Sequence, residues 1–310
     1  MQGITLSNGV VMPYIGYGTG VVNHYSTNFP VWAKHRVRLI LNSVKNLRIN
    51  RQIKIDMFAS QMVRDAYNSG FRLFDTGRIY GDSEIAISKG LKNVQRENYF
   101  LCTKFSDLCY EMNPQRQDVL FHLKKSLSFL QTDYVDLLCI HHPHGDVAKI
   151  WAEMEKAYES GLCRAIGTSN FNVSDFAELK KTQKIAPMVN QGERHPFFTN
   201  NEVFEYCRQN NILFMAHTPT GRGTVSNSDL LSEIGRKYGK TNSQIVLRWH
   251  NQNGVVPVVS TTNKEHMEQS NDIFDFELFD EMSRITNLNN NVRMLDCLNG
   301  VDNPLYRFNR

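Results

Sequence analysis

Val135-Asp136-Leu137-Leu138-Cys139-Ile140-His141 is a short apolar run that ends on a polar side chain. Residues 147–160 then repeat at helical spacing, and Arg164-Ala165-Ile166-Gly167-Thr168 begins a second run of the same kind. Strand, helix and strand in so short a stretch form a unit whose two strands run parallel. The same alternation extends outward in both directions. Upstream lie Tyr14-Ile15-Gly16-Tyr17-Gly18 and runs at 72–75 and 99–104; downstream lie runs at 188–191, 212–217 and 255–259. Helices are expected near 57–69, 83–92, 115–130, 173–183, 201–209, 228–238 and 242–252. Pro114 suits a first helical turn, Gly161 a helix end, and Asn172 a cap. Eight such units over roughly 250 residues predict a (β/α)8 TIM barrel. No G-x-G-x-x-G turn follows an early strand, which disfavours the open dinucleotide-binding sheet. Ser7-Asn8-Gly9, between two β-branched runs, adds an N-terminal hairpin cap.

Composition bounds the rest. The 310 residues carry 35 Lys+Arg against 31 Asp+Glu, yet the charge is unevenly spread. Residues 1–55 hold seven basic residues and no acidic one, leaving 28 basic and 31 acidic residues in the remainder. A mildly acidic body with one basic segment does not suit a nucleic-acid binder. No uncharged apolar run is long enough to span a bilayer, and the first residues do not resemble a signal peptide. Six cysteines without a C-x-x-C pair fit a reduced, cytoplasmic protein. With no linker or repeat, residues 1–310 read as one domain, either a monomer or a small homo-oligomer.

In a barrel of this kind the chemistry gathers where strands end. Here the ends read Asp75, Lys104, His141, Ser169-Asn170, Gln191, His217 and Ser260-Thr261. Four residues suit one catalytic unit. Tyr80 follows Asp75 by five positions, and a phenol, with pKa about 10, is a weak acid at neutral pH. A Lys104 ammonium nearby favours the phenolate. Asp75 can hold Lys104 charged, and His141 can hydrogen-bond a substrate oxygen. This set can deliver a proton to a carbonyl oxygen.

These stretches resemble the aldo-keto reductase family. Asp75-Thr76-x-x-x-Tyr80-Gly81 is similar to its Asp and Tyr motif, and Thr103-Lys104 to its Thr-Lys. Leu137-Leu138-Cys139-Ile140-His141-His142-Pro143 is similar to its Leu-x-x-Ile-His-x-Pro. Gly161-Leu162-Cys163-Arg164-Ala165-Ile166-Gly167-Thr168-Ser169-Asn170-Phe171 resembles its long signature, and Val189-Asn190-Gln191 with His195-Pro196 a further one. The resemblance implies hydride exchange between NADP(H) or NAD(H) and a small-molecule aldehyde or ketone, without a metal. It implies Tyr80 as general acid tuned by Lys104 and Asp75, His141 orienting the carbonyl, and Ser169, Asn170 and Gln191 on the nicotinamide carboxamide. Tyr17, Trp32 and Phe105 are candidates for the substrate wall. His142, His144 and His195 read as structural neighbours. The alternative is a non-catalytic or regulatory cofactor-binding relative.

Three departures from the family pattern stand out. His217 occupies the place of the tyrosine that stacks on nicotinamide. Ser260-Thr261 and His266 stand where NADP-type members carry Lys-Ser and Arg, so the permanent cations for a 2′-phosphate are missing. Lys264 and Arg222 are possible substitutes. Finally, residues 20–55 form a basic insertion after the first barrel strand, with Val37, Ile40, Leu41, Val44 and Leu47 at helical spacing. It reads as a docked cationic face, as a lid for an anionic substrate through Arg36 and Arg38, or as a subunit contact.

Overall fold

The structure, a computed structural model, describes residues 2–21, 45–107, 109 and 118–295, with side chains left out for 21 and 45–56. Trp32, Arg36, Arg38, Pro114 and residues 296–310 lie outside the described residues, and so does most of the insertion.

The N-terminal hairpin forms as expected. Strand β1 (Gly3–Thr5) pairs antiparallel with β2 (Val11–Pro13), and the turn residue Gly9 takes a φ of 87°. Asn8 in this turn donates to the Arg164 carbonyl at 2.8 Å, tying the hairpin to the base of the barrel.

Eight parallel strands then close into a barrel. They are β3 (Gly16–Gly18), β4 (Leu73–Asp75), β5 (Phe100–Phe105), β6 (Leu137–Ile140), β7 (Ile166–Ser169), β8 (Val189–Glu193), β9 (Leu213–His217) and β10 (Val256–Val259), with β10 returning to β3. Every expected strand is present. Helices α1 (Lys45–Asn68), α2 (Ser83–Gly90), α3 (Val119–Leu130), α4 (Val147–Glu159), α5 (Val173–Leu179) and α6 (Asn201–Gln209) follow the strands β3 to β8 in turn, and α7 (Asp229–Tyr238) and α8 (Asn242–Gln252) both lie between β9 and β10. Asp118, Asp146, Asn172, Ser228 and Thr241 cap five of them through side-chain oxygens, and Gly161 follows the end of α4 at a φ of 75°.

Two differences from the sequence reading have physical causes. Helix α1 begins at Lys45, twelve residues before the expected start, so the end of the insertion continues into the first barrel helix. No Gly or Pro interrupts residues 45–68, so no breaker separates the two. Helices α9 (Lys264–Asn271) and α10 (Glu281–Thr286) were not expected. Their sequences are polar: α9 buries Met267 and Ser270, too little to show a helical period.

Apolar side chains from the strands and the inner helix faces form one large core. A second cluster, with Trp249 and Ile285, lies under α7, α8 and α10. At the N-terminal end of the barrel the buried Asp136 carboxylate accepts from Arg96 at 2.6 Å, Arg164 at 2.9 Å and the Leu101 amide at 2.8 Å. Ion clusters at this end of a barrel serve stability. Among the described residues no helix is long and apolar enough to cross a membrane.

Gly167 sets the spacing in the middle of the sheet. A Cβ there would lie 2.7 Å from the Val189 carbonyl oxygen and 3.2 Å from Cys139 Sγ. The oxygen is backbone of the adjacent strand and cannot swing aside. Gly167→Ala is therefore expected to cost about 1–3 kcal/mol and to lower the melting temperature by several degrees in a thermal scan. An unchanged transition would contradict this packing.

Candidate active site

The strand ends converge on one mouth. Register places Asp75 beside Gly18, Ser169 beside Gln191, and Glu193 beside His217. Because side chains alternate along a strand, Asp75 and Lys104 point into the barrel while Phe74 and Phe105 point outward.

The centre of the site is a buried ion pair. Lys104 Nζ lies 2.6 and 2.7 Å from the two Asp75 oxygens and 2.8 Å from the Thr76 carbonyl. Three acceptors match its three N–H bonds. Burial alone would lower the Lys104 pKa, but Asp75, joined by Tyr80 and Cys102, outweighs it and the net shift is upward. Lys104 is therefore charged at every relevant pH. Gln191 Nε2 donates to Asp75 Oδ1 at 3.1 Å, leaving its own carbonyl oxygen as an acceptor at the mouth.

Tyr80 sits on the loop after β4. That loop is pinned by bonds from the Arg78 amide to the Lys104 carbonyl and from the Tyr80 amide to the Gly77 carbonyl. The phenol oxygen is 3.1 Å from His141 Nε2, and Lys104 Nζ lies 5.3 Å from the ring centroid. With its N–H bonds taken up by Asp75 and Thr76, Lys104 acts on Tyr80 through its charge.

A row of imidazoles walls the site. His141 and His142 stack at 4.5 Å and 13°, and His142 faces His144 at 5.9 Å. His217 Nε2 lies 2.9 Å from Asn170 Oδ1. Asn170 Nδ2 donates to the His141 carbonyl, so Oδ1 is the acceptor and His217 carries its proton on Nε2. Asn170 itself has a φ of 61°, a backbone state that asparagine tolerates. Burial pushes the His217 pKa down to about 4, with Lys104 and Arg293 adding to it against Glu193 and Asp75. Burial and then the neighbouring His144 push His142 down to about 3, and His141 lies well below its usual value, first through burial and then through His142. All three rings are neutral at pH 7.

Two adjoining cavities open here. The smaller, about 150 Å3, is lined by Asp75, Tyr80, His141, His142, Gln191 and His217, with Ser169, Asn170 and Ser260 beside them. The larger, about 900 Å3, runs over the ends of β9 and β10 past Thr218, Arg222, Ser260, Thr261 and His266. Gly20, Thr218, Val258, Ser260 and Leu295 border both. A long groove of hydroxyl and amide groups joined to a small polar chamber fits an extended dinucleotide with its reactive end in the chamber.

Most of the residues singled out from sequence therefore meet at this mouth. Two do not. Tyr17 is fully buried and in register with Phe74, and its ring packs 5.6 Å from Phe71 outside the barrel wall. Its hydroxyl donates to the Thr261 carbonyl at 2.8 Å, so it braces the groove without lining it. Phe105 is buried against His122 of α3. Strand alternation turns both away from the cavity. Conversely, His142 lines the chamber although it reads as a neighbour in sequence; it lies past the end of β6, where alternation no longer decides direction. Leu295 and Thr218 carry no chemical signal in sequence, and only folding brings them to the cavities. Of the two substitutes for the missing cations, Arg222 lines the groove.

Comparison with known proteins agrees with this geometry. The profile of the aldo/keto reductase family matches residues 48–290. The chain is 32% identical to the uncharacterised oxidoreductase YtbE of Bacillus subtilis, over 94% of both chains. It is 38% identical to the glyoxal reductase of the same organism, over 76% of this chain and 85% of that one. A crystal structure of a Bombyx mori aldo-keto reductase in complex with NADP superposes with a TM-score of 0.79 at 28% identity, covering 99% of each chain. The fold and mouth are those of a barrel oxidoreductase, and the chain belongs to the aldo/keto reductase family. It is an NAD(P)H-dependent carbonyl oxidoreductase.

The neutral histidines make stability depend on pH. Histidines of the unfolded chain take up protons near pH 6.5. His141, His142, His217 and His250 are held below that value by burial. The unfolded state thus binds more protons as pH falls, and stability falls with it. The melting temperature is expected to decline steadily from pH 7 to pH 5, with no contribution from these groups above pH 8. A flat profile between pH 7 and 5 would contradict the neutral assignments.

Proposed function

We propose that the chain reduces an aldehyde or ketone to an alcohol, with Tyr80 as proton donor, Lys104 and Asp75 tuning it, and His141 orienting the carbonyl. One observation carries this reading: Tyr80 Oη and His141 Nε2 stand 3.1 Å apart at the floor of the chamber, above a buried ammonium. Two polar atoms at that spacing can both reach one carbonyl oxygen. When bound, the dihydronicotinamide supplies a hydride to the carbonyl carbon. Tyr80 gives its proton to the oxygen, and the phenolate left behind is stabilised by the Lys104 charge. Asp75 prevents that ammonium from losing its proton. Neutral His141 donates a hydrogen bond without adding charge beside a cationic oxidised ring. Ser169, Asn170 and Gln191 would hold the carboxamide, with His217 against the ring. Ser260, Thr261 and His266 would face the other end of the dinucleotide. We read residues 1–310 as one barrel unit that carries its insertion.

Tyr80→Phe is expected to lower kcat by about 10²–10⁴-fold, the usual range for a general acid, with NADPH affinity by fluorescence titration nearly unchanged. Retention of more than a tenth of the activity would sink the assignment.

The same groove bears on cofactor choice. With Ser260, Thr261 and His266 in place of permanent cations, Arg222 is the cation among the described residues that line the groove. We propose that both cofactors are used. The kcat/KM with NADH is expected within about a hundredfold of that with NADPH, a difference of about 2.7 kcal/mol. A larger preference for NADPH in parallel assays would contradict this.

A further inference from the structure

The end of β8 carries buried groups that the chemistry above does not use. Glu193 is 4% exposed and lies two residues beyond Gln191. Its carboxylate accepts from His195 Nε2 at 3.1 Å. It also accepts from two backbone amides about a hundred residues later: Met294 N on Oε1, and Leu295 N at 3.1 Å on Oε2. These two residues lie beyond α10. The Leu295 amide also reaches Oε1 at 3.3 Å, and among the described residues neither amide is bonded to any other residue. Leu295 borders both the catalytic chamber and the groove. One buried carboxylate thus ties the tail of the chain to the strand that carries Gln191.

A second stretch of wall hangs from the next residue. The Arg194 guanidinium is held between Phe204 at 4.5 Å and Trp249 at 4.1 Å, and Nη1 reaches His250 Nδ1 at 3.3 Å. Arginine only donates, so His250 accepts on Nδ1 and donates from Nε2 to the Pro219 carbonyl at 3.2 Å. Pro219, Thr220 and Arg222 form that side of the groove. Both walls are therefore referenced to one rigid strand end.

We propose that Glu193 is a clasp, a positioning residue whose carboxylate holds the Met294 and Leu295 backbone, keeps Leu295 at the border of the two cavities and so sets the affinity for dinucleotide and carbonyl substrate. This rests on reading the cavities as the cofactor and substrate sites. The chemistry of the group supports it. An ionised carboxylate is acceptor-only and meets three donors here, and such charge-assisted bonds are stronger than neutral ones. An amide at this position would turn its NH2 against one of those donors. Burial raises the Glu193 pKa, but the bonds from His195 and Met294, the nearby His217 and the bond from Leu295 together outweigh it and hold the group below its usual value. The clasp is closed throughout the neutral range.

The test uses the full chain in three forms: wild type, Glu193→Gln and Leu295→Ala. Hydrogen exchange is measured without cofactor, and NADPH affinity by fluorescence titration. In wild type the Met294 and Leu295 amides are protected. Glu193→Gln is expected to speed their exchange at least tenfold while the strand amides of Asn190 and Phe214 keep their protection. NADPH Kd and carbonyl KM should rise about tenfold, with kcat changed much less. Leu295→Ala should raise Kd and KM with the Met294 amide still protected, separating the wall from the clasp. Should Glu193→Gln fail to fold, Glu193→Asp, which keeps the charge with a shorter reach, is expected to give intermediate exchange and affinity. Unchanged exchange in the folded variant, or faster exchange with unchanged Kd and KM, would overturn the proposal. The exchange reading needs no turnover, so its failure is distinct from a failure of the Tyr80 assignment.

Discussion

An ammonium buried inside a barrel must be compensated on the spot, and Lys104 is compensated by Asp75 from the adjacent strand. Removing one member of such a pair typically costs about 3–5 kcal/mol, because the other charge is left stranded. That constraint organises the mouth. It aligns the ends of β4 and β5, holds the Thr76 carbonyl against Nζ, and draws Gln191 across from β8 to Asp75. The loop bearing Tyr80 is then fixed by a backbone bond to Lys104 itself. The proposed proton donor, the charge proposed to tune it and a candidate carboxamide ligand thus share one electrostatic centre.

Among the described residues that line the chamber around that centre, there is no second Lys or Arg. A protonated imidazole beside Lys104 would be repelled, and the low pKa values of His141, His142 and His217 express this together with burial. His217 stands where the family pattern described from the sequence has tyrosine. Unlike a phenol ring, it bonds Asn170 through Nε2 while keeping a flat apolar face. The ring that would lie against nicotinamide is thereby coupled to an amide expected to read the carboxamide. The substitution keeps a neutral aromatic surface and adds an orientation.

Much of the barrel was legible in the chain because each strand repeats one physical pattern: a short apolar run, a polar end, then a helical period. The candidate set was legible because Asp75, Lys104 and His141 sit at or just past strand ends, with Tyr80 in the loop that follows Asp75. Other parts were not. Tyr17 and Phe105 look like pocket aromatics by position, but alternation sends them outward, and the phase of that alternation is set by which neighbour enters the barrel. Helices α9 and α10 bury too few apolar groups to show a period.

The sequence by itself determined the order of strands and helices, the barrel class, the polar strand ends and the absence of acidic residues from the first 55 positions. These are local properties: propensity, periodicity and residue chemistry at fixed spacing. Only the tertiary structure decided which side of each strand faces the cavity, that His142 and Leu295 border it, and that Glu193 joins β8 to the chain's tail. Those facts depend on contacts between residues far apart in the chain, such as Glu193 with Leu295. No local pattern encodes such a meeting, because it follows from how the whole barrel closes.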